Sequence, residues 1–286
     1  MTHNQMLSIS DCTSMACLLE VLAAKPGNVH RGSDFDDATF GDFVLAGQAI
    51  APVMERAAHE QLGATILNAV HATRAVTGTN VNLGIILLLA PLATIARDEP
   101  WQSGLPHVLQ HLTPDDARDV YEAINLAQPG GMGKVNDADL SSAPPSDLLA
   151  AMKLAAERDT IARQYTNNYH EIATIVLPML QDNLRQLPTL AAIVRSHVQV
   201  LAVLPDTLIA RKCEALIAQQ ASEWAGEVLV AGERSTEEYY HALADLDFWL
   251  RADGRKRNPG TTADLVCAAL FLALRDGSLQ PPFVFE

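Results

Sequence analysis

The sequence predicts an almost purely helical fold. Three observations carry this expectation. Helix start signals recur along the chain, Ala and Leu dominate while aromatic residues make up only 5%, and no segment shows the period-two alternation of a half-buried strand. With 286 residues, 49% of them hydrophobic, the chain can bury a sizeable core as one large domain or two smaller ones.

The elements follow in order. Ser10 or Asp11 caps a first helix that runs to about Ala24, with Met15, Leu18, Leu19 and Leu22 at helical spacing. Thr39 caps a second, whose apolar side carries Phe40, Phe43, Val44 and Ile50. A third covers roughly Gly63 to Val76 and stops at Thr77-Gly78; a fourth begins near Asn80. Thr113-Pro-Asp-Asp opens the next, with Thr as cap, Pro at the first position and acids in the first turn. Residues 129–146, rich in Gly, Pro, Ser and Asp, form the longest irregular segment and the best linker candidate. One long helix is expected from Asp147 to Met179, with Asp159 inside its apolar stripe and Arg163 four residues on. Pro188 opens a helix to Leu204, and Pro205-Asp206 caps another that reaches Val230. Thr236 starts a helix ended by Gly254, and Thr261 or Thr262 starts the last, which stops before Gly277.

Composition excludes several classes of partner. The net charge of −14 disfavours general binding to nucleic acid or to an anionic membrane. Cys12, Cys17, Cys213 and Cys267 show no zinc spacing and read as free thiols in a reducing cytosol. The N-terminus lacks the basic and apolar regions of a signal peptide. The most apolar run, Val81 to Ala96, is broken by Asn82, Gly84 and Pro91 and reads as a core helix rather than a membrane span. A cytoplasmic protein is expected, with a homo-oligomer left open.

The segment KPGNVHRGSDFDD, Lys25 to Asp37, concentrates the chemistry. Pro26, Gly27 and Gly32 can bend it so that Asp34, Asp36 and Asp37 aim at one point. Gathered carboxylates repel unless a cation or a proton joins them, so a Mg²⁺-polyphosphate site competes with a solvated acidic turn. Lys25, His30 and Arg31 offer phosphate contacts in the same stretch. Asp159 is either half of an ion pair with Arg163 or a ligand. Asp206 is either a helix cap or a ligand, with Arg211 and Lys212 following. Arg255, Lys256 and Arg257 stand together before Asn258-Pro-Gly and the helix start at Thr261, a pattern suited to phosphate. Gly130 to Lys134 reads GGMGK, which lacks Walker spacing, yet Lys134 can close over a nucleotide. Asn80 and Asn82 are either caps or ribose and base contacts.

In this order the pieces KPGNVHRG, DFDDATF, GTNVNLG, PGGMGK, AAERDTIARQY, PDTLIARK and NPGTTADL resemble the triphosphoribosyl-dephospho-CoA synthase family, from about Ser10 to Gly277. The resemblance implies a single all-α domain over residues 1–286, with a central polar cleft. It also implies a reaction in which ATP loses adenine and its 5-triphosphoribosyl group passes to the ribose hydroxyl of dephospho-CoA or a related acceptor. Asp34 and Asp36 match the family's acidic pair, and Arg255 and Lys256 lie beside its Pro-Gly signature. Two elements depart. The family's Thr-His-Lys-Gly appears as Val81-Asn82-Leu83-Gly84, and Gly32 stands where a His precedes the acidic pair.

The expected assignment is catalysis by Asp34, Asp36 and Asp37. Nucleotide and phosphate are expected at Lys25, His30, Arg31, Asn80, Asn82, Lys134, Arg211, Arg255, Lys256 and Thr261. Mg²⁺ is expected at Asp34, Asp36, Asp159 and Asp206. The rival readings are an all-α metal-dependent hydrolase of ADP-ribose-like glycosides, an ATP-using enzyme of pterin or one-carbon cofactor biosynthesis, and a helical nucleotide-binding protein without catalysis.

Overall fold

The computed structural model describes residues 6–128, 146–232 and 236–285. Among them are fourteen α-helices and no sheet; β-type pairing is confined to two tight turns, His30 with Ser33 and Phe35 with Ala38. The all-helical expectation is met. Among the described residues no helix is long and apolar enough to cross a membrane.

Three starts are capping boxes, in which side chain and backbone satisfy each other's donors. Helix α1 (Ile9–Leu22) is capped by Ser8 and not by Ser10 or Asp11, because Asp11 sits three residues in and returns its carboxylate to Ser8. Helices α2 (Phe40–Glu55) and α6 (Pro114–Ala127) begin at Thr39 and Thr113 as expected, answered by Asp42 and Asp116. Helix α3 (Leu62–Thr77) ends at left-handed Gly78. Helix α5 (Trp101–Gln110) follows Pro100 without a side-chain cap, so no start signal marks it in the sequence.

The long helix expected from Asp147 to Met179 is instead α7 (Leu148–Ala155), α8 (Thr160–Asn167), a π turn over Ile172–Val176, and α9 (Leu177–Leu184). Asp159 caps α8 by accepting from the Ile161 and Ala162 amides, at 2.9 and 3.4 Å. A carboxylate that satisfies backbone donors favours a cap over a helix interior. Left-handed Asn168 and Tyr169 end α8. The helix expected from Asp206 to Val230 is likewise split, into α11 (Thr207–Lys212) and α12 (Ala215–Val230).

The core is organised around α4 (Leu83–Thr94) and α14 (Gly260–Arg275). Both are almost entirely buried. They pack on each other, with α1, α2 and α3 on one side and α8, α9 and α10 (Thr189–Val203) around the rest. A smaller apolar cluster joins α10, α11, α12 and α13 (Glu237–Arg251). Helix α4 contains Pro91, which leaves the Leu87 carbonyl without its helical donor. The Tyr165 hydroxyl donates to that carbonyl at 2.6 Å, and Tyr169 donates to Leu88 O at 3.0 Å.

Candidate functional site

The acidic loop does not gather its carboxylates. The turns at residues 30–33 and 35–38 each close on their own backbone and send the acids in different directions. Asp34 accepts from the Phe40 amide at 2.6 Å, Asp37 pairs with Arg255 at 2.7 Å, and Asp36 is exposed. Among the described residues no three His, Cys, Asp or Glu side chains converge as a metal site.

The loop fixes other groups. Gly27 has φ of +70°, and a Cβ there would stand 2.6 Å from that of Leu250; its amide donates to Asp247 at 2.7 Å. This close approach shuts Lys25 away from solvent completely. The Lys25 ammonium pairs with Glu20 at 2.9 Å and donates to the Glu20 and Ala23 carbonyls, so it cannot touch a ligand directly. His30 accepts from the Gly32 amide, and burial with nearby Arg251 and Lys25 lowers its pKa. Neither His30 nor Arg31 borders the main cleft.

That cleft has a volume of about 1160 Å³. The start of α4 (Leu83, Gly84), the first turns of α14 (Thr261, Asp264) and Glu20 of α1 border it. Arg158, Arg211, Lys212, Arg255 and Lys256 bring cations to it, with Arg74 opposite; Ile124, Leu148, Met152 and Ile161 give it an apolar wall. The starts of α4, α8 and α14 all reach it, so three sets of first-turn amides add partial positive charge. Several cations already hold an acid: Arg211 pairs with Asp159 at 2.9 Å and Lys256 with Asp253 at 3.6 Å. Arg163, expected beside Asp159, lies 3.7 Å from Glu171 instead. Burial, with Arg255 next, lowers the pKa of Lys212.

Asp206 is buried and fully engaged. One oxygen accepts from the Leu208 and Ile209 amides, the other from the Thr262 amide and hydroxyl at 2.7 and 2.8 Å. It ties the start of α11 to the start of α14 and leaves no lone pair aimed at the cleft. Asn82 is buried, accepting from Thr73 at 3.0 Å, while Asn80 reaches the cleft and caps the Leu83 amide. Arg257 stacks on Trp249, 4.5 Å from the ring centre, away from the cleft. Lys134 lies outside the described residues.

Asp264 was not singled out from the sequence. Its carboxylate borders the cleft and makes no hydrogen bond or ion pair among the described residues. A Cβ on Gly84 would fall 2.0 Å from Asp264 Oδ2, so only glycine lets α4 lie against this carboxylate. Burial, then the charges of Glu20, Asp206 and Asp159, raise its pKa well above the usual carboxylate range, with Arg211 opposing. A strongly perturbed acid in a cleft marks a functional candidate. One signal could have found it: an Asp at the fifth position of the last helix, before an apolar run.

Residues 6–282 match the family of ATP:dephospho-CoA triphosphoribosyl transferases. The chain belongs to that family. A triphosphoribosyl transferase of this kind takes its donor group from ATP and gives it to dephospho-CoA. A crystal structure from Archaeoglobus fulgidus described as a triphosphoribosyl-dephospho-CoA synthase is similar at 25% identity with a TM-score of 0.63, over 82% of this chain and 99% of that one. No curated protein matches the chain. The transferase assignment agrees with the sequence resemblance and lends no support to the hydrolase, pterin or binding-protein readings. Of the family's Thr-His-Lys-Gly element, this transferase keeps the glycine against Asp264 and places Leu83 on the cleft where the family has Lys.

Proposed function

We propose that the α4–α14 cleft is where the triphosphoribosyl group passes from ATP to dephospho-CoA. The observation that carries this is the meeting of a cationic rim and three helix starts with one unpaired carboxylate, Asp264. Arg211, Arg255 and Lys256, with the Thr261 end of α14, hold the triphosphate. The acid partners of Arg255 and Lys256, Asp37 and Asp253, are exposed, so exchanging them for phosphate costs little. The apolar wall at Ile124, Leu148 and Met152 receives the adenine or the pantetheine arm, and Asn80 contacts ribose. Departure of adenine from C1′ builds positive charge on the sugar, which the carboxylates beside the cleft stabilise. Glu20 and Asp264 serve there in place of Asp34 and Asp36. Asp206 and Lys25 act behind them, holding α14 and Glu20.

Magnesium suits this arrangement without a dedicated protein cage, because it is ordinarily held by one or two carboxylates plus substrate phosphates. Asp37 fits that role: it borders the cleft, two-thirds exposed, with only Oδ2 engaged by Arg255. The ion would neutralise phosphate charge beside Arg255. Use of ATP and dephospho-CoA is consistent with work in the cytoplasm.

The test is adenine release from ATP and Mg²⁺, with and without dephospho-CoA. Release that requires dephospho-CoA is expected. Release without an acceptor would turn the reading to hydrolysis, and no release would remove it.

A further inference from the structure

Two carboxyl groups face the same cleft from packed helices, Glu20 on α1 and Asp264 on α14. Their surroundings differ in one decisive respect. Glu20 has a private cation: Lys25, wholly buried, stands 2.9 Å from Glu20 Oε1, and its remaining donors go to the Glu20 and Ala23 carbonyls. Asp264 has no hydrogen-bond or ion-pair partner among the described residues. The groups that face it are the carboxylates of Glu20 (α1), Asp159 (cap of α8) and Asp206 (cap of α11), the Arg211 guanidinium (α11), and the Gly84 backbone (α4). Arg211 is already paired with Asp159. Behind Lys25 lies His197 of α10, buried with both ring nitrogens unpartnered and neutral, its pKa lowered by burial to about 3. The balance is therefore asymmetric: one acid with a cation, one among like charges.

Resting on the transfer reading above, we propose that this pair divides acid from base, Asp264 giving a proton to the departing purine and Glu20 taking the proton of the acceptor hydroxyl, with Lys25 as the positioning residue that holds the Glu20 carboxylate in place. The C1′–N9 bond breaks with its electron pair going to the purine, and the Asp264 O–H protonates a purine ring nitrogen. The acceptor ribose oxygen bonds to C1′, and its proton passes to Glu20. Asp264 ends as carboxylate and Glu20 as acid, and exchange with solvent after product release restores both. A carboxylate paired to Lys is a weak base, but a hydroxyl bound to a cationic sugar carbon needs no stronger one. Burial and like charges favour the protonated form of Asp264, the separation of paired carboxyl groups by environment that assigns acid and base roles elsewhere.

The first test needs no turnover. The free protein at pH 7 should show an infrared carbonyl band of a protonated carboxylic acid that Asp264→Asn removes and Glu20→Gln leaves. Absence of such a band, or its loss in Glu20→Gln alone, would overturn the assignment whether or not the transferase reading stands. The second test is kinetic. Asp264→Asn should slow adenine release by about two to four decades and abolish the alkaline fall of the wild-type rate. Lys25→Met, folded by circular dichroism, should lower kcat while leaving KM for ATP near wild type; if it does not fold, Glu20→Gln carries this arm with the same loss of kcat. An Asp264→Asn enzyme with wild-type rate and pH profile sinks the proposal.

Discussion

Asp264 illustrates how one side chain links stability to function. The unfolded chain gives up this proton near the ordinary carboxylate pKa of about 3.9, while the folded chain keeps it to higher pH. Between those two values the unfolded state binds fewer protons, so folding stability declines as pH rises. Asp264→Asn removes that penalty. Its gain in Tm should be absent near pH 3, widen as pH climbs, and level off above the folded pKa. Thermal scans over a pH series check this, and a gain that shrinks with rising pH contradicts it. His197 has the opposite sign. Its folded pKa of about 3 lies below the usual 6.5, so the stability it supports is present above about pH 6.5 and is lost as pH falls towards 3. His197→Leu should flatten stability across that interval. Asp37→Asn frees Arg255 from an exposed pair worth about 0.2–1 kcal/mol; calorimetry should show inorganic triphosphate binding up to about fivefold tighter without Mg²⁺.

At the scale of elements, α4 depends on residues far along the chain. Pro91 is incompatible with a standard helical ladder, and its orphaned Leu87 carbonyl is answered by Tyr165, with Tyr169 answering the Leu88 carbonyl beside it. Tyr165→Phe should therefore cost about 1–3 kcal/mol, the usual penalty for an unsatisfied buried acceptor, read by urea titration; a neutral result would show another donor taking over. The break between α8 and α9 is what delivers both tyrosines, since Tyr169 sits at φ of +60°. Periodicity could not foresee it. The apolar stripe continues through Asp159 and Tyr169, and a stripe alone does not distinguish a continuous helix from short ones packed on the same core. Local chemistry was more legible. Thr39, Thr113 and Thr236 mark their helix starts in the sequence and in the structure, because capping needs only residues a few positions apart. Helix α5 escaped notice because Pro100 supplies no side-chain cap.

For the whole molecule, the fold places positive charge against the grain of the chain. A net charge of −14 repels polyanions in general, so the proposed ATP site relies on the local field of the cleft rim and helix starts. Mg²⁺-ATP at 100 times its dissociation constant should stabilise the protein by about 2.7 kcal/mol. The joint Arg255→Ala and Lys256→Ala variant should lose most of that ligand-dependent rise in Tm while folding normally, as both sit at the surface. A rise of unchanged size would place the triphosphate elsewhere.

The sequence by itself determined the helical class, most helix starts, the cationic loop before α14 and, through its ordered motifs, the transferase family. These depend on neighbours along the chain or on whole-chain pattern. Only the tertiary structure decided where each acid sits and what it pairs with. Asp34, Asp36 and Asp37 are adjacent in sequence, but their turns send them apart. Asp206 reads as a cap and is also a clamp on Thr262, 56 residues away. Glu20 and Asp264 are separated by most of the chain and meet because α1 and α14 pack together. Whether a carboxylate is paired, capped or left alone in a cleft is set by burial and by partners from other helices, and those come into being only when the core closes.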